Sequence, residues 1–124
     1  MINWLKENNL EGTASLYDTN ITFNTVITRW LKDAYRVMVG IDEQTSDIIV
    51  APINKDRADK NDIDSVNLLK IAIKSTYSRI SSSSLMKNIA QNVGLSLCST
   101  PLKLKAVWDD GLDAVRIFIN EGGK

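Results

Sequence analysis

Short runs in which apolar and polar residues alternate fill most of this chain, and they constrain its fold more than any other feature. Alternation with a period of two is typical of a β-strand that buries one face. The runs lie at 14–16, 21–23, 35–41, 48–53, 69–73, 79–81, 102–108 and 115–119. Turn-forming residues separate them, as at 18–20, 42–47 and 109–111. The sequence therefore predicts several β-hairpins.

Helical spacing is confined to two internal segments and one terminal segment. After Asn24, a candidate N-cap, the apolar residues recur at i, i+3 and i+4. The serine run 81–84 offers caps for a second helix, and Gly94 is placed to end it. Asn3 could cap a short N-terminal helix that ends near Gly12.

The order strand, capped helix, hairpin occurs twice, in residues 14–53 and 69–119, and a polar connection at 54–64 joins the two. Neither half can cover its own apolar strand faces, so two halves packed together could bury both sets. We predict one α+β domain over residues 1–124. It consists of antiparallel sheets or a small barrel from two weakly repeated strand–helix–hairpin units, with a short N-terminal helix. The alternative is that the two runs arose by chance in an ordinary α+β domain.

This order resembles the AbrB-type swapped-hairpin barrel, and two copies in one chain resemble the MraZ arrangement of that fold. Arg79-Ile80 in the second half matches part of the family's Gly-Arg-Ile opening, and Asn20-Ile21 occupies the matching place in the first. The family's following Ile-Pro step is missing from both halves. The resemblance implies a barrel that binds DNA through basic residues near this motif.

Composition excludes several kinds of site. The chain has no histidine and one cysteine, Cys98, so a Ser-His-Asp or Cys-His site, an intrachain disulfide and a structural zinc site are ruled out. We predict a buried, inert thiol for Cys98. The acidic stretch 56–64 fails the calcium-loop pattern, and no glycine-rich phosphate loop is present. We therefore expect no enzyme, no cofactor and no metal.

Acidic pairs stand at both predicted hairpin turns, Asp42-Glu43 and Asp109-Asp110. A catalytic pair of carboxylates is one interpretation. Turns favour aspartate for backbone reasons alone, so we interpret both pairs as turn residues.

Basic residues alternate with apolar ones on three predicted strands. If these strands are neighbours, their outward side chains form a basic surface that could bind nucleic acid. The candidate residues are Lys70, Lys74, Arg79, Lys103, Lys105 and Arg116. The plainer interpretation is a solvated sheet face whose lysines prevent aggregation. Fifteen basic residues balance fifteen acidic ones, so attraction to a polyanion would have to be local.

We expect a non-enzymatic binding protein, in the first instance a DNA-binding regulatory or accessory protein. The alternative is a protein-interaction module or a homo-oligomeric subunit that binds itself or another protein, since Trp4, Trp30 and Trp108 are many tryptophans for a small domain. A third hypothesis is an enzyme built on carboxylates and lysines. Without a signal peptide or a membrane-length apolar run, we expect no membrane partner and a cytoplasmic location.

Overall fold

Strands make up most of the regular secondary structure in a computed structural model that describes Ile2, residues 11–60 and residues 67–119. The strands are β1 (Gly12–Leu16), β2 (Asn20–Phe23), β3 (Arg36–Ile41), β4 (Ile48–Ile53), β5 (Ala72–Ile73), β6 (Ser78–Ser81), β7 (Leu102–Asp109) and β8 (Ala114–Ile117). The helices are α1 (Thr25–Trp30), α2 (Lys55–Asp59) and α3 (Ser83–Val93). None of these helices has the length and apolar character needed to cross a membrane.

All eight strands belong to one antiparallel sheet that curls into a half-barrel. The strand order is β3-β4-β8-β7-β1-β2-β6-β5. An isolated bridge ties the segment before β5 back to β3, where Val37 and Leu69 exchange two backbone hydrogen bonds of 2.9 and 2.8 Å. The bridge brings residues from near the two ends of the sheet together.

The predicted α+β class is wrong. Both halves contribute their strands to a single sheet, because β1 pairs with β7 and β4 with β8 across the two halves. The three helices are short, and only α3 exceeds six residues. The predicted N-terminal helix lies outside the described residues.

The two halves of the chain have the same internal strand pairing. Each half pairs its first two strands, β1 with β2 and β5 with β6, and closes a hairpin with its last two. Pairs β2–β6 and β4–β8 join equivalent strands of the two halves. The repeat of 14–53 by 69–119 stays a prediction, to which this pairing adds a topological argument.

The core fills the concave side of the sheet. Alternation turns every second strand residue inward, and these side chains are almost fully buried. The largest of them are Phe23, Leu16, Ile21, Ile48, Ile53, Ile80, Leu104, Ile117 and Val37, and the largest fully buried side chains outside the strands are Ile27, Leu31 and Met86. Helix α1 packs against β1, β2 and β7 and adds Ile27 to this core. The opposite, outward strand positions are thereby left to solvent and to any ligand.

The capping residues predicted for helices α1 and α3 are confirmed. Asn24 caps α1 by accepting from the backbone N–H of Ile27, and Ser82 caps α3 by accepting from that of Leu85. Gly94 ends α3 with φ of 72°, in the left-handed region that glycine favours.

One connection differs from the prediction. The expected polar linker at 54–64 contains helix α2, which Asn54 caps by accepting from the backbone N–H of Arg57 at 2.9 Å. No residue of α2 is buried, so this helix has no apolar pattern from which it could have been predicted.

Candidate nucleic-acid interface

One register line runs across the outer side of the sheet and carries a cation near each end. Lys103 on β7 lies opposite Ser15, Ser15 opposite Thr22, and Thr22 opposite Arg79 on β6. Lys103 and Arg79 are exposed, and their strand neighbours Leu104 and Ile80 are buried. Strand alternation therefore directs both cations outward.

The spacing on this line follows from sheet geometry. Neighbouring strands lie about 4.8 Å apart, so three steps separate the backbones of Lys103 and Arg79 by about 14 Å. The two positions between them, Ser15 and Thr22, carry hydroxyl groups. Hydroxyl and cationic side chains are the groups that proteins commonly use to contact phosphate oxygens.

Two further lysines extend the surface beyond Arg79. Ala72 on β5 lies opposite Arg79, and the exposed Lys70 and Lys74 stand two residues before and after it. The backbone N–H of Lys74 donates to the carbonyl of Tyr77 at 2.8 Å, so the ladder continues to the turn. All three positions consequently share the outward side.

Arg79 is held in place by its neighbours. Its Nε donates to Thr22 Oγ1 at 3.3 Å. Its guanidinium carbon lies 5.3 Å from the centroid of the Tyr77 ring, within the range of a cation–π contact. These two contacts restrict the conformations of the guanidinium group and hold it above the strands.

Lys105 shares the outward side of β7 but is paired. Its Nζ lies 2.7 Å from Glu11 Oε1, and both side chains are about half exposed, at 48% and 53%. We name Lys70, Lys74, Arg79, Lys103 and Lys105 together the basic face. Within the described residues, its members other than Lys105 form no salt bridge with a carboxylate.

The sixth predicted residue, Arg116, has a different environment. It faces outward on β8 beside Val107 and Ile49, but three carboxylates enclose it. Its Nη1 lies 3.1 Å from Asp42 Oδ2 and 3.0 Å from Asp47 Oδ2, and its Nε lies 3.2 Å from Asp109 Oδ2. Only 17% of its side chain is exposed, so its charge is committed within the protein.

Electrostatics at Arg116 follow from these contacts. The pKa of Asp42 lies below its ordinary value, first because the backbone N–H of Gln44 donates to the carboxylate and next because Arg116 does. The pKa of Arg116 is raised, chiefly by its hydrogen bond to Asp47 and then by that to Asp42. The charged forms therefore stabilise one another.

The same carboxylates shape the hairpin turns. Asp42 accepts from the backbone N–H of Gln44, and Asp109 accepts from those of Gly111 and Leu112. The interpretation of Asp42 and Asp109 as turn residues agrees with these bonds. Sequence reasoning missed that Arg116 joins the two turns, because its partners Asp42 and Asp47 lie 74 and 69 residues away in the chain.

Other residues singled out in the sequence lie apart from the basic face. Cys98 is exposed, so the prediction of a buried thiol is wrong. The residue contacts the β1–β2 turn through its carbonyl, which accepts from the backbone N–H of Asp18 at 3.0 Å. Trp30 and Trp108 are partly buried against the core, and Trp4 lies outside the described residues.

No protein-family model, no curated protein and no solved structure matches the chain. The resemblance to the AbrB and MraZ arrangement therefore stays a prediction.

Proposed function

We propose that the protein binds nucleic acid, DNA in the first instance, through the basic face, and that it acts as a regulatory or accessory protein without catalysing a reaction. The observation that carries this proposal is the register line from Lys103 to Arg79. Two cations and two intervening hydroxyls lie along it with no carboxylate between them. A polyanion lying along this line reaches Lys103, Ser15 and Arg79. The hydroxyl of Thr22 instead donates to Asn20 Oδ1 at 2.9 Å and accepts from Arg79, which it holds in place.

Charge segregation supports the proposal. The chain is neutral as a whole, with fifteen residues of each sign. Its described ion pairs gather at Arg116 and at Lys105, while Lys70, Lys74, Arg79 and Lys103 have no acidic partner among the described residues. A local concentration of unpaired cations attracts phosphates even when the net charge is zero.

The chemistry of the face favours phosphate contacts over base reading. Its outward positions offer ammonium, guanidinium and hydroxyl groups, which bind phosphate and sugar oxygens. Such contacts give affinities in the range of about 10⁻⁴ to 10⁻⁶ M at physiological salt. Binding of this kind suits an accessory protein that acts on DNA in the cytoplasm.

The alternative, a protein-interaction module or homo-oligomeric subunit, has less support. The tryptophans suggested it, and both described tryptophans pack against the core. Light scattering of the purified protein addresses it directly, and a stable dimer at low concentration would favour this alternative.

Fluorescence anisotropy with a short labelled DNA duplex at about 50 mM salt tests the proposal. The variant Arg79→Glu/Lys103→Glu removes the cations at both ends of the register line. The matched control is Lys55→Glu/Lys87→Glu, which changes net charge equally at exposed positions on α2 and α3.

We expect the first variant to bind at least about tenfold more weakly than the wild type, a loss of about 1.4 kcal/mol or more. The control should stay within about threefold, since only the local field changes the contact. Equal weakening of both variants, or a wild type that does not bind, would contradict the proposal.

A further inference from the structure

We infer that Ala72 marks a phosphate subsite within the basic face, in which Lys70 and Arg79 flank a single phosphate group. The inference rests on the proposed function in one respect: the phosphate is taken to belong to a nucleic-acid backbone. The geometry itself is independent of that source.

Two cations lie beside one small residue. Ala72 lies directly opposite Arg79 across the β5–β6 pair, and paired residues have backbones about 5 Å apart. Lys70 stands two residues before Ala72, at about 6.6 Å along an extended chain. Because Ala72 carries only a methyl group, the two longer side chains leave open space above it.

That space exists as a shallow depression of about 390 Å³. Of the residues that the structure describes, Lys70, Ile71, Ala72, Arg79 and Ser81 line it, and none of these is a carboxylate. A water molecule occupies about 30 Å³ of the liquid, so a phosphate group fits with room for ordered water. Two ammonium or guanidinium groups and a hydroxyl are thus within reach of an occupant.

Arg79 is prepared for such a ligand. Thr22 uses its Nε and Tyr77 supports its plane, so the two terminal amino groups remain as donors. A guanidinium with two such donors binds the oxygens of a phosphate in a bidentate way, which a lysine does not. Lys70 adds charge beside this anchor, while Lys74 lies outside the lining.

Two cations beside one depression suit a nucleic-acid strand better than a lone carboxylate. One carboxylate compensates one cation, as Glu11 does at Lys105. A backbone phosphate also carries one negative charge, but the neighbouring phosphates of the strand supply further charge beside it.

The variant Ala72→Leu tests the subsite because it fills the depression without changing any charge. Ala72→Ser is the matched control, since it keeps the space and adds only a hydroxyl. Circular dichroism is used to check whether both variants fold. The probes are a short DNA duplex followed by anisotropy, and inorganic phosphate followed by backbone amide resonances in NMR.

We expect Ala72→Leu to weaken duplex binding about five- to tenfold and Ala72→Ser to leave it within about twofold. Inorganic phosphate should shift the amide resonances of Ala72 and Arg79 in the wild type and in Ala72→Ser, with much smaller shifts in Ala72→Leu. If Ala72→Leu does not fold, Lys70→Gln takes its place with the same expectation.

The outcomes separate the two proposals. Suppose that the wild type does not bind DNA, and that inorganic phosphate shifts its amide resonances but not those of Ala72→Leu. This result would support the subsite and refute nucleic-acid binding. DNA binding that is insensitive to Ala72→Leu, with no phosphate shifts at Ala72 or Arg79, would overturn the subsite and leave the basic face in place.

Discussion

The outward orientation of Arg116 was predictable from the sequence, but its ion pairs with two hairpin turns were not. Its place in an alternating strand correctly indicated that it faces outward. Its partners Asp42 and Asp47 lie 74 and 69 residues away in the chain, so local pattern could not reveal them. Asp47 is nearly buried and also accepts from the backbone N–H of Ile119 at 3.3 Å. We conclude that Arg116 ties the β3–β4 and β7–β8 turns together.

Removing this arginine should destabilise the fold. Arg116→Met leaves three carboxylates close to one another without their cation, and we expect the free energy of unfolding to fall by about 1–3 kcal/mol. Urea denaturation at pH 7 measures this. Arg57→Met, at an exposed position on α2, is the control and should change stability by less than about 0.5 kcal/mol. Equal stability of both variants would show that the ion pairs contribute nothing.

The stabilisation lost in Arg116→Met should depend on pH. Because the folded pKa of Asp42 is lowered from 3.8, its contribution to stability is present above that value and is lost as pH falls through the lower folded pKa. The pKa of Arg116 is raised from an already high value and adds no dependence in this range. The stability difference between wild type and Arg116→Met should therefore narrow below about pH 4. A difference that stays constant down to pH 2 would contradict this assignment.

At the scale of elements, helix α3 is the one whose limits the sequence predicted best. Four consecutive serines offered a cap, and Ser82 is the one that adopts the extended backbone of an N-cap and accepts from Leu85 at 3.1 Å. Gly94 ends the helix as expected. Helix α2 was missed because it buries nothing and depends on its Asn54 cap. Sequence patterns thus locate helices that pack against the core, and overlook a helix that buries no residue and has only an N-cap to mark it.

The capping role gives a prediction with a close control. Ser82→Ala removes the acceptor for the Leu85 N–H and should lower the free energy of unfolding by about 1 kcal/mol. Ser83→Ala changes an exposed serine in the first turn of the same helix, where alanine is a better helix former, and should be neutral or slightly stabilising. Thermal denaturation of the two variants compares them. A larger loss for Ser83→Ala would place the cap at another residue.

At the scale of the whole molecule, hairpins were predictable and their assembly was not. The alternating runs correctly predicted the β1–β2, β3–β4 and β7–β8 hairpins. The pairs β1–β7 and β4–β8 join distant parts of the chain, and no local pattern encodes them. An α+β class was therefore expected where a single curled sheet forms.

The candidate site depends on the same long-range pairing. Alternation alone predicted which lysines and arginines face outward. Only the order β7-β1-β2-β6-β5 places Lys103, Arg79 and the lysines around Ala72 on one continuous surface. That order also inserts Ser15 and Thr22 between the cations, a feature that sequence reasoning did not identify.

The salt dependence of DNA binding tests most directly the claim that this surface binds a polyanion by its charges. Each neutralised phosphate contributes a slope of about −0.9 in a plot of log association constant against log salt. Lys70 and Arg79 share one phosphate in the proposed subsite, so the four cations without a described acidic partner contact three phosphates and predict a slope of about −3. Arg79→Glu/Lys103→Glu should reduce this slope by about 2. A slope near zero, or one that the double variant leaves unchanged, would contradict the account.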